Sequence, residues 1–123
     1  MPGPERARVT GIGGVFFRAR DPKTLAGWYR EHLGVPMSTD GYVVFPESRD
    51  THWVHFAADT DYWPREKELM VNFTVRDLDA LLAQLRDAGV DVDDRIEEME
   101  YGRFGWAVDP EGNRIELWEP PRR

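Results

Sequence analysis

Two side chains in this sequence stand out for the chemistry they can do: Glu116 in "RIELWEP" and His55 in "HWVHFAAD". Each lies in a run with apolar neighbours, so each is either solvated on the outside of a sheet or aimed at something. In an extended chain, alternation decides which residues share a face. Ile115 and Leu117 oppose Arg114, Glu116 and Trp118, and Val54 and Phe56 oppose Trp53, His55 and Ala57. In "GIGGVFFRA", Val15, Phe17 and Ala19 oppose Gly14, Phe16 and Arg18. In "LMVNFTV", Val71, Phe73 and Val75 oppose Met70, Asn72 and Thr74. One face of each run is plainly apolar and suits packing under a helix. The other mixes Arg18, His55, Asn72 and Glu116 with Phe16, Trp53 and Trp118. A solvated face would carry Lys, Glu and Thr but few tryptophans, and a core face would not carry Arg, His and Glu. Aromatic walls with a few polar groups are the make-up of a small-molecule pocket. Glu116 is therefore expected to face a ligand.

A carboxylate beside an imidazole can move a proton, the carboxylate raising the histidine's pKa. The same pair can equally be a hydrogen bond in a pocket wall with no chemistry. Trp53, Trp106, Trp118, Phe16 and Phe104 can stack on a planar ligand, while Glu116 can meet a cation. Arg18 and Arg114, on the same face by alternation, can neutralise Glu116 or hold a substrate carboxylate. An arginine paired with Glu116 would lower its basicity.

The elements that must position these residues appear twice. A strand-like run leads into Asp21-Pro22 and the helix pattern "KTLAGWYREHLGV"; another leads into Arg76-Asp77 and "LDALLAQLRDAGV". Asp21 and Asp77 are N-cap candidates, and Pro22 suits the first helical position. Leu25, Trp28, Tyr29 and Leu33 fall on one face of the first helix, and Leu78, Leu81, Leu82 and Leu85 on one face of the second. Gly34 and Gly89 suit left-handed positions just past each helix. Short β-type runs follow: "PMST", "GYVVFPE" and "HWVHFAAD" in the first half, "DVDDRIEEM", "RFGWAVDP" and "RIELWEP" in the second. The Pro/Gly turn "DPEGN" joins the last two. The plan is β-α-β-β-β, twice, with "TDYWPREKE" as a polar linker. The expected fold is α+β, a single domain over 1–123 with module one at about 9–58, a linker at about 59–68 and module two at about 69–120.

Composition narrows the function classes. The 123 residues suffice for one domain. A net charge of −7 argues against a nucleic-acid partner. No apolar run approaches a membrane span, and the N-terminal "MPGPERARVTG" lacks the apolar stretch of a signal peptide. Cysteine is absent, so neither a disulfide framework nor a thiolate site is open to it. The cytoplasm is the expected compartment.

"GVFFRARDPKTLAGWYREHLGV" and "FGWAVDPEGNRIELWEP" resemble the opening and closing segments of the vicinal oxygen chelate superfamily, which includes glyoxalase I, bleomycin-resistance proteins and extradiol dioxygenases. The resemblance runs from about Val9 to Pro120. It implies two tandem βαβββ modules forming a curved-sheet bowl with the helices on its outer face. It also implies a homodimer. The family's metal ligands, carried over, fall at Gly14, His55, Met70 and Glu116. His55 and Glu116 are able to bind a divalent ion such as nickel, zinc, iron or manganese. Gly14 has no side chain, and the Met70 thioether is a poor ligand for hard ions. Tyr101, Arg103 and Asn72 can line the pocket without being strong ligands. The resemblance thus points to a small-molecule-binding protein with an incomplete metal site and no cofactor. The alternative it leaves open is a metal-dependent glyoxalase-like lyase or isomerase, with Glu116 as general base and His55 as its partner.

Overall fold

The computed structural model describes residues 15–38, 43–46 and 50–121. Helix α1 spans Pro22–Leu33, and its start follows from the capping expected of Asp21. One oxygen of Asp21 accepts from the Thr24 amide at 3.1 Å and the other from the Thr24 hydroxyl at 2.7 Å. Gly34, at φ 66°, ends the helix in the left-handed conformation that a side chain would oppose. Helix α2, Leu78–Asp87, is capped by Asp77 on the Ala80 amide. A second carboxylate, Glu119, accepts from the Leu78 amide at 2.8 Å and so ties the helix start to the end of the sheet.

The second half of the chain forms one open sheet. Its strands are β1 (Val71–Thr74), β2 (Asp91–Val92), β3 (Glu97–Met99), β4 (Gly102–Val108) and β5 (Arg114–Glu119). The order is β1-β5-β4-β2, with β3 also pairing with β4. β1 runs parallel to β5, with Asn72 opposite Glu116, and β4 runs antiparallel to β5, with Trp106 opposite Glu116. β2 and β3 are two pieces of one expected run. The break follows from Asp93, whose amide donates to the Trp106 carbonyl while its side chain accepts from the Arg95 amide.

Leu78, Leu82 and Leu85 of α2 are buried against Ala107, Ile115 and Leu117, and Leu25 and Tyr29 of α1 join the same core. Each leucine or isoleucine among them contributes about 1.5–3 kcal/mol by leaving water. Gly105 admits α2 closely, since a Cβ there would stand 3.1 Å from a Leu82 methyl. Both helices cover one face of the sheet, as expected, and Glu116 is on the other. Among the described residues no helix is long and apolar enough to cross a membrane.

Among the described residues the β-α-β-β-β plan is realised in the second half, and the first half contributes helix α1. The described portions of the first-half β runs, 15–19, 36–38, 43–46 and 52–59, contain no strand. Alternation tells which side chains share a face but not whether a neighbouring strand is at hand, and unpaired strands are not stable alone. Val15, Phe16 and Phe17 are accordingly 56%, 94% and 50% exposed.

The closing turn is more than a connector. Asp109, buried at 4% exposure, accepts from the amides of Glu111 and Asn113 and from the Asn113 side chain. It also accepts from the Tyr29 hydroxyl at 2.8 Å. Glu111 in turn accepts from the amides of Arg20 and Asp21 at 2.8 and 2.9 Å. The "DPEGN" segment therefore docks α1 onto the second-half sheet, with an acidic group held at each of two points.

Candidate functional site

Glu116 lies in the middle of β5, only 8% exposed, on the face away from the helices. Among the described residues three groups donate to it. The Asn72 side-chain amide reaches one oxygen at 2.8 Å from β1, and the Trp106 indole N–H reaches the other at 2.9 Å from β4. Register makes both contacts, because Asn72 and Trp106 are the cross-strand neighbours of Glu116 on either side. The third donor is the Tyr62 hydroxyl, which bonds to the same oxygen as Trp106. Burial first, and then the bond to Glu116, raise the Tyr62 phenol well above its ordinary pKa, so it remains a neutral donor.

Tyr62 belongs to the segment expected to be a polar linker. That segment is fastened by the Trp63 indole donating to the Lys67 carbonyl at 2.9 Å and by the Lys67 ammonium donating to the Glu111 carbonyl at 3.0 Å. The Tyr62 ring stacks on Phe56 at 5.6 Å and meets Trp106 edge-on at 6.1 Å. Alternation could not reveal this contact, since Tyr62 lies in no strand. The available signal was the adjacent pair Tyr62-Trp63 in an otherwise charged connector.

Trp106 is fully buried, with the guanidinium groups of Arg95 and Arg114 5.4 and 5.2 Å from its ring centre. Arg114 makes an ion pair with Asp93 at 3.1 Å, not with Glu116. The expectation that it neutralises Glu116 is thereby corrected: Asp93, pulled in at the break between β2 and β3, takes the guanidinium. Among the described residues the partners of Glu116 are a phenol, an amide and an indole, all uncharged.

Further along the same face, Phe104 and Trp118 stack in parallel at 6.0 Å. The Trp118 indole N–H donates to the Tyr101 carbonyl at 2.8 Å, and the Tyr101 ring meets Phe104 edge-on at 5.8 Å. Gly102 makes room for this arrangement. It adopts φ 130°, and a Cβ there would stand 2.5 Å from both the Trp118 indole nitrogen and the Glu119 carbonyl oxygen. His52 contacts the edge of Trp118 at 5.5 Å.

Other expected site residues are placed elsewhere. Arg103 is on the helix side of β4, paired with Asp79 of α2 at 3.0 Å and with Glu98 at 3.6 Å. Its register opposite Glu119 requires this, since Phe104 and Trp106 occupy the alternate positions. His55 is exposed, and its ring meets Trp53, itself 73% exposed, at 5.8 Å. In this segment the ring contacts toward the second-half sheet and the connector are made by His52 and Phe56, on Trp118 and Tyr62. No ion pair joins His55 to Glu116 among the described residues. Phe16 and Arg18 are exposed, with no strand to fix their direction. Met70 immediately precedes β1, and Gly14 lies outside the described residues. A shallow depression of about 350 Å³ lies on the outer side of α1, lined by Thr24, Trp28, Glu31 and Pro110 among others, remote from this chemistry.

The donor set around Glu116 does not suit a divalent ion. A site for nickel, zinc, iron or manganese sets further imidazole or anionic ligands beside its carboxylate, whereas among the described residues N–H and O–H donors point at both oxygens of Glu116. Among the described residues no group of three His, Cys, Asp or Glu side chains is arranged to hold a metal. What the geometry supplies is a fixed acceptor between aromatic walls. A carboxylate has about four lone-pair positions, and three are engaged here.

Residues 14–118 match the family model described as a glyoxalase-like domain. No curated protein matches significantly. Among solved structures, a glyoxylase/bleomycin resistance protein/dioxygenase domain from Frankia sp. EAN1pec is similar with a TM-score of 0.62 at 20% identity, over 93% of this chain and 100% of that one. TnmS3, an antibiotic binding protein from Streptomyces sp. CB03234, gives 0.58 at 23% identity, over 92% and 100%. A member of the glyoxalase/bleomycin resistance protein/dioxygenase superfamily from Sphaerobacter thermophilus gives 0.52 at 21%, over 82% and 90%. The β-α-β-β-β plan and the match across nearly the whole sequence lead to one assignment: the chain belongs to the glyoxalase-like family of the vicinal oxygen chelate superfamily.

Proposed function

We propose that this protein binds a small organic molecule, in the manner of the bleomycin-resistance branch of its superfamily, with Glu116 as the acceptor that fixes the ligand. The observation that carries the reading is the state of that carboxylate. It is buried, held by three uncharged donors and bordered by Trp106, with the Phe104–Trp118 stack on the same sheet face. Such a group presents an anionic acceptor in a place where water competes poorly. A general base of the lyase or isomerase kind was expected to work with His55, and among the described residues no ion pair joins His55 to Glu116. The binding reading is therefore favoured over the lyase or isomerase reading. The antibiotic-binding description of the Streptomyces protein, which shares the fold, is in keeping with it.

The tandem-module architecture and a homodimer belong to the same proposal. The first half repeats the sequence plan of the second and exposes Phe16, Phe45 and Trp53, an apolar surface suited to a second copy.

A library of planar cations and aromatics, read by quenching of tryptophan fluorescence, tests the function. Binders are expected among them, with affinity reduced at least about tenfold by Glu116→Gln. A library without a binder, or binders indifferent to Glu116→Gln, would remove the reading. Metal content of the untagged protein after incubation with nickel, zinc, iron(II) and manganese addresses the alternative. Stoichiometric metal lost in His55→Ala would restore the enzyme.

A further inference from the structure

The Tyr62 side chain occupies the very place that a ligand of Glu116 would need. Asn72 and Trp106 reach Glu116 from within the sheet and are fixed by strand register, but Tyr62 reaches it from a connector with no regular structure. Its ring is held on three sides by aromatic residues: stacked on Phe56 at 5.6 Å, and edge-on to Trp106 at 6.1 Å and Trp63 at 6.4 Å. Its hydroxyl ends on the carboxylate. The segment is fastened at Trp63 and Lys67, one residue and five residues beyond, by the Tyr62 amide on the Thr60 hydroxyl at 3.3 Å and by Arg65 on the Asp59 carbonyl at 3.3 Å, none of them through the Tyr62 side chain. Tyr62 itself is only partly buried, so its side chain can swing outward while those bonds remain.

Resting on the binding function proposed above, we infer that Tyr62 is an internal stand-in for the ligand, which is a planar aromatic carrying a phenolic hydroxyl. The protein's own phenol shows what the slot accepts: a flat ring between Phe56 and Trp106, with an O–H donor at its end for Glu116. When such a ligand enters, the Tyr62 side chain rotates out and the incoming hydroxyl replaces it on Glu116. One neutral donor replaces another, so no charge is left unpaired by the exchange. An aryl methyl ether of the same shape would leave the buried carboxylate without its third donor, and discrimination by a lost donor is steep. Tyr62 thus sets both the chemical class of the ligand and the affinity, because the ligand must compete with it.

The probes are 2-naphthol and its methyl ether, titrated by calorimetry into the wild-type protein and into Tyr62→Phe, with the thermal unfolding of each variant recorded as a check on folding. The inference expects 2-naphthol to bind wild type at least about tenfold more tightly than the ether. It expects Tyr62→Phe, which removes the competing hydroxyl, to bind 2-naphthol at least about fivefold more tightly than wild type. Equal affinity for phenol and ether, no binding of either, or weaker 2-naphthol binding by a folded Tyr62→Phe would overturn it. The wild-type comparison needs no variant and stands if Tyr62→Phe fails to fold. If the broad library yields Glu116-dependent ligands that lack a hydroxyl while 2-naphthol does not bind, the binding function survives and the phenol assignment fails.

Discussion

At the scale of single residues, Glu116 and its donors form a unit in which each member depends on the others. Glu116→Gln keeps the shape but puts an N–H group at one of the two oxygens that now accept, where Trp106 can only donate and Tyr62 or Asn72 must reorient to accept. A donor facing a donor in a buried site costs about 1–3 kcal/mol, and urea denaturation of the variant is expected to show a loss of that size. The tyrosines make a separate prediction about pH. Tyr29 is raised well above its ordinary pKa, by burial first and then by Asp109, and Tyr62 is raised by burial and Glu116. A raised folded-state pKa means that the native state holds the proton more tightly than the unfolded chain. The resulting stability is complete below about pH 10, the unfolded value, and is lost as pH rises above it. Tyr29, buried in the core, steepens the decline by up to about 1.4 kcal/mol per pH unit, and the more exposed Tyr62 by less because solvent screens it. Denaturant midpoints between pH 9 and 11 are expected to fall less steeply in Tyr29→Phe than in wild type. The sequence made Glu116, Asn72 and Trp118 legible, because period-two alternation needs no tertiary information. It left Tyr62 out, because a contact made by a connector has no period.

At the scale of elements, two joints hold the site in place. Gly102 begins β4 where the chain must pass under Trp118. Gly102→Ala would drive a methyl group into the Glu119 carbonyl and the indole at a backbone angle that disfavours side chains. A loss of about 2–4 kcal/mol is expected, with a shift in tryptophan emission as the Phe104–Trp118 stack opens. The second joint is Asp109, which joins its own turn to Tyr29 of α1. Asp109→Ala orphans several donors at once and is expected to cost about 2–4 kcal/mol by urea unfolding, more than removal of the exposed N-cap Asp77 at about 1 kcal/mol. The caps, the helix faces and the closing turn could all be read from local residue chemistry. The interruption at residues 93–96 could not, because it depends on Asp93 meeting Trp106 and Arg114 from other strands.

At the scale of the whole molecule, the described residues divide unevenly between the halves. The second half supplies all the strands found among the described residues, and α1 is the helix contributed by the first. Exposed apolar side chains gather in the first half, where Phe16 is 94% exposed and Trp53 is 73% exposed. Burial of that surface against a second copy predicts a sedimentation mass of about twice the 14.3 kDa chain. A monomeric mass at micromolar concentration would exclude the homodimer. Phe16→Glu is expected to shift the equilibrium toward monomer, since a charge placed in an apolar interface must be desolvated.

By itself the sequence determined the α+β class, both helices with their caps, the faces of β1 and β5, and the place of Glu116 on the sheet face away from the helices. These follow from short-range rules: period, capping chemistry and turn residues act over a few positions. Only the tertiary structure decided what surrounds that carboxylate. Strand register set Asn72 and Trp106 beside Glu116, turned Arg103 toward α2 and gave Arg114 to Asp93. Chain path laid Tyr62 across the site and turned His55 outward with Trp53. Those outcomes depend on which distant segments meet, and no local pattern encodes that.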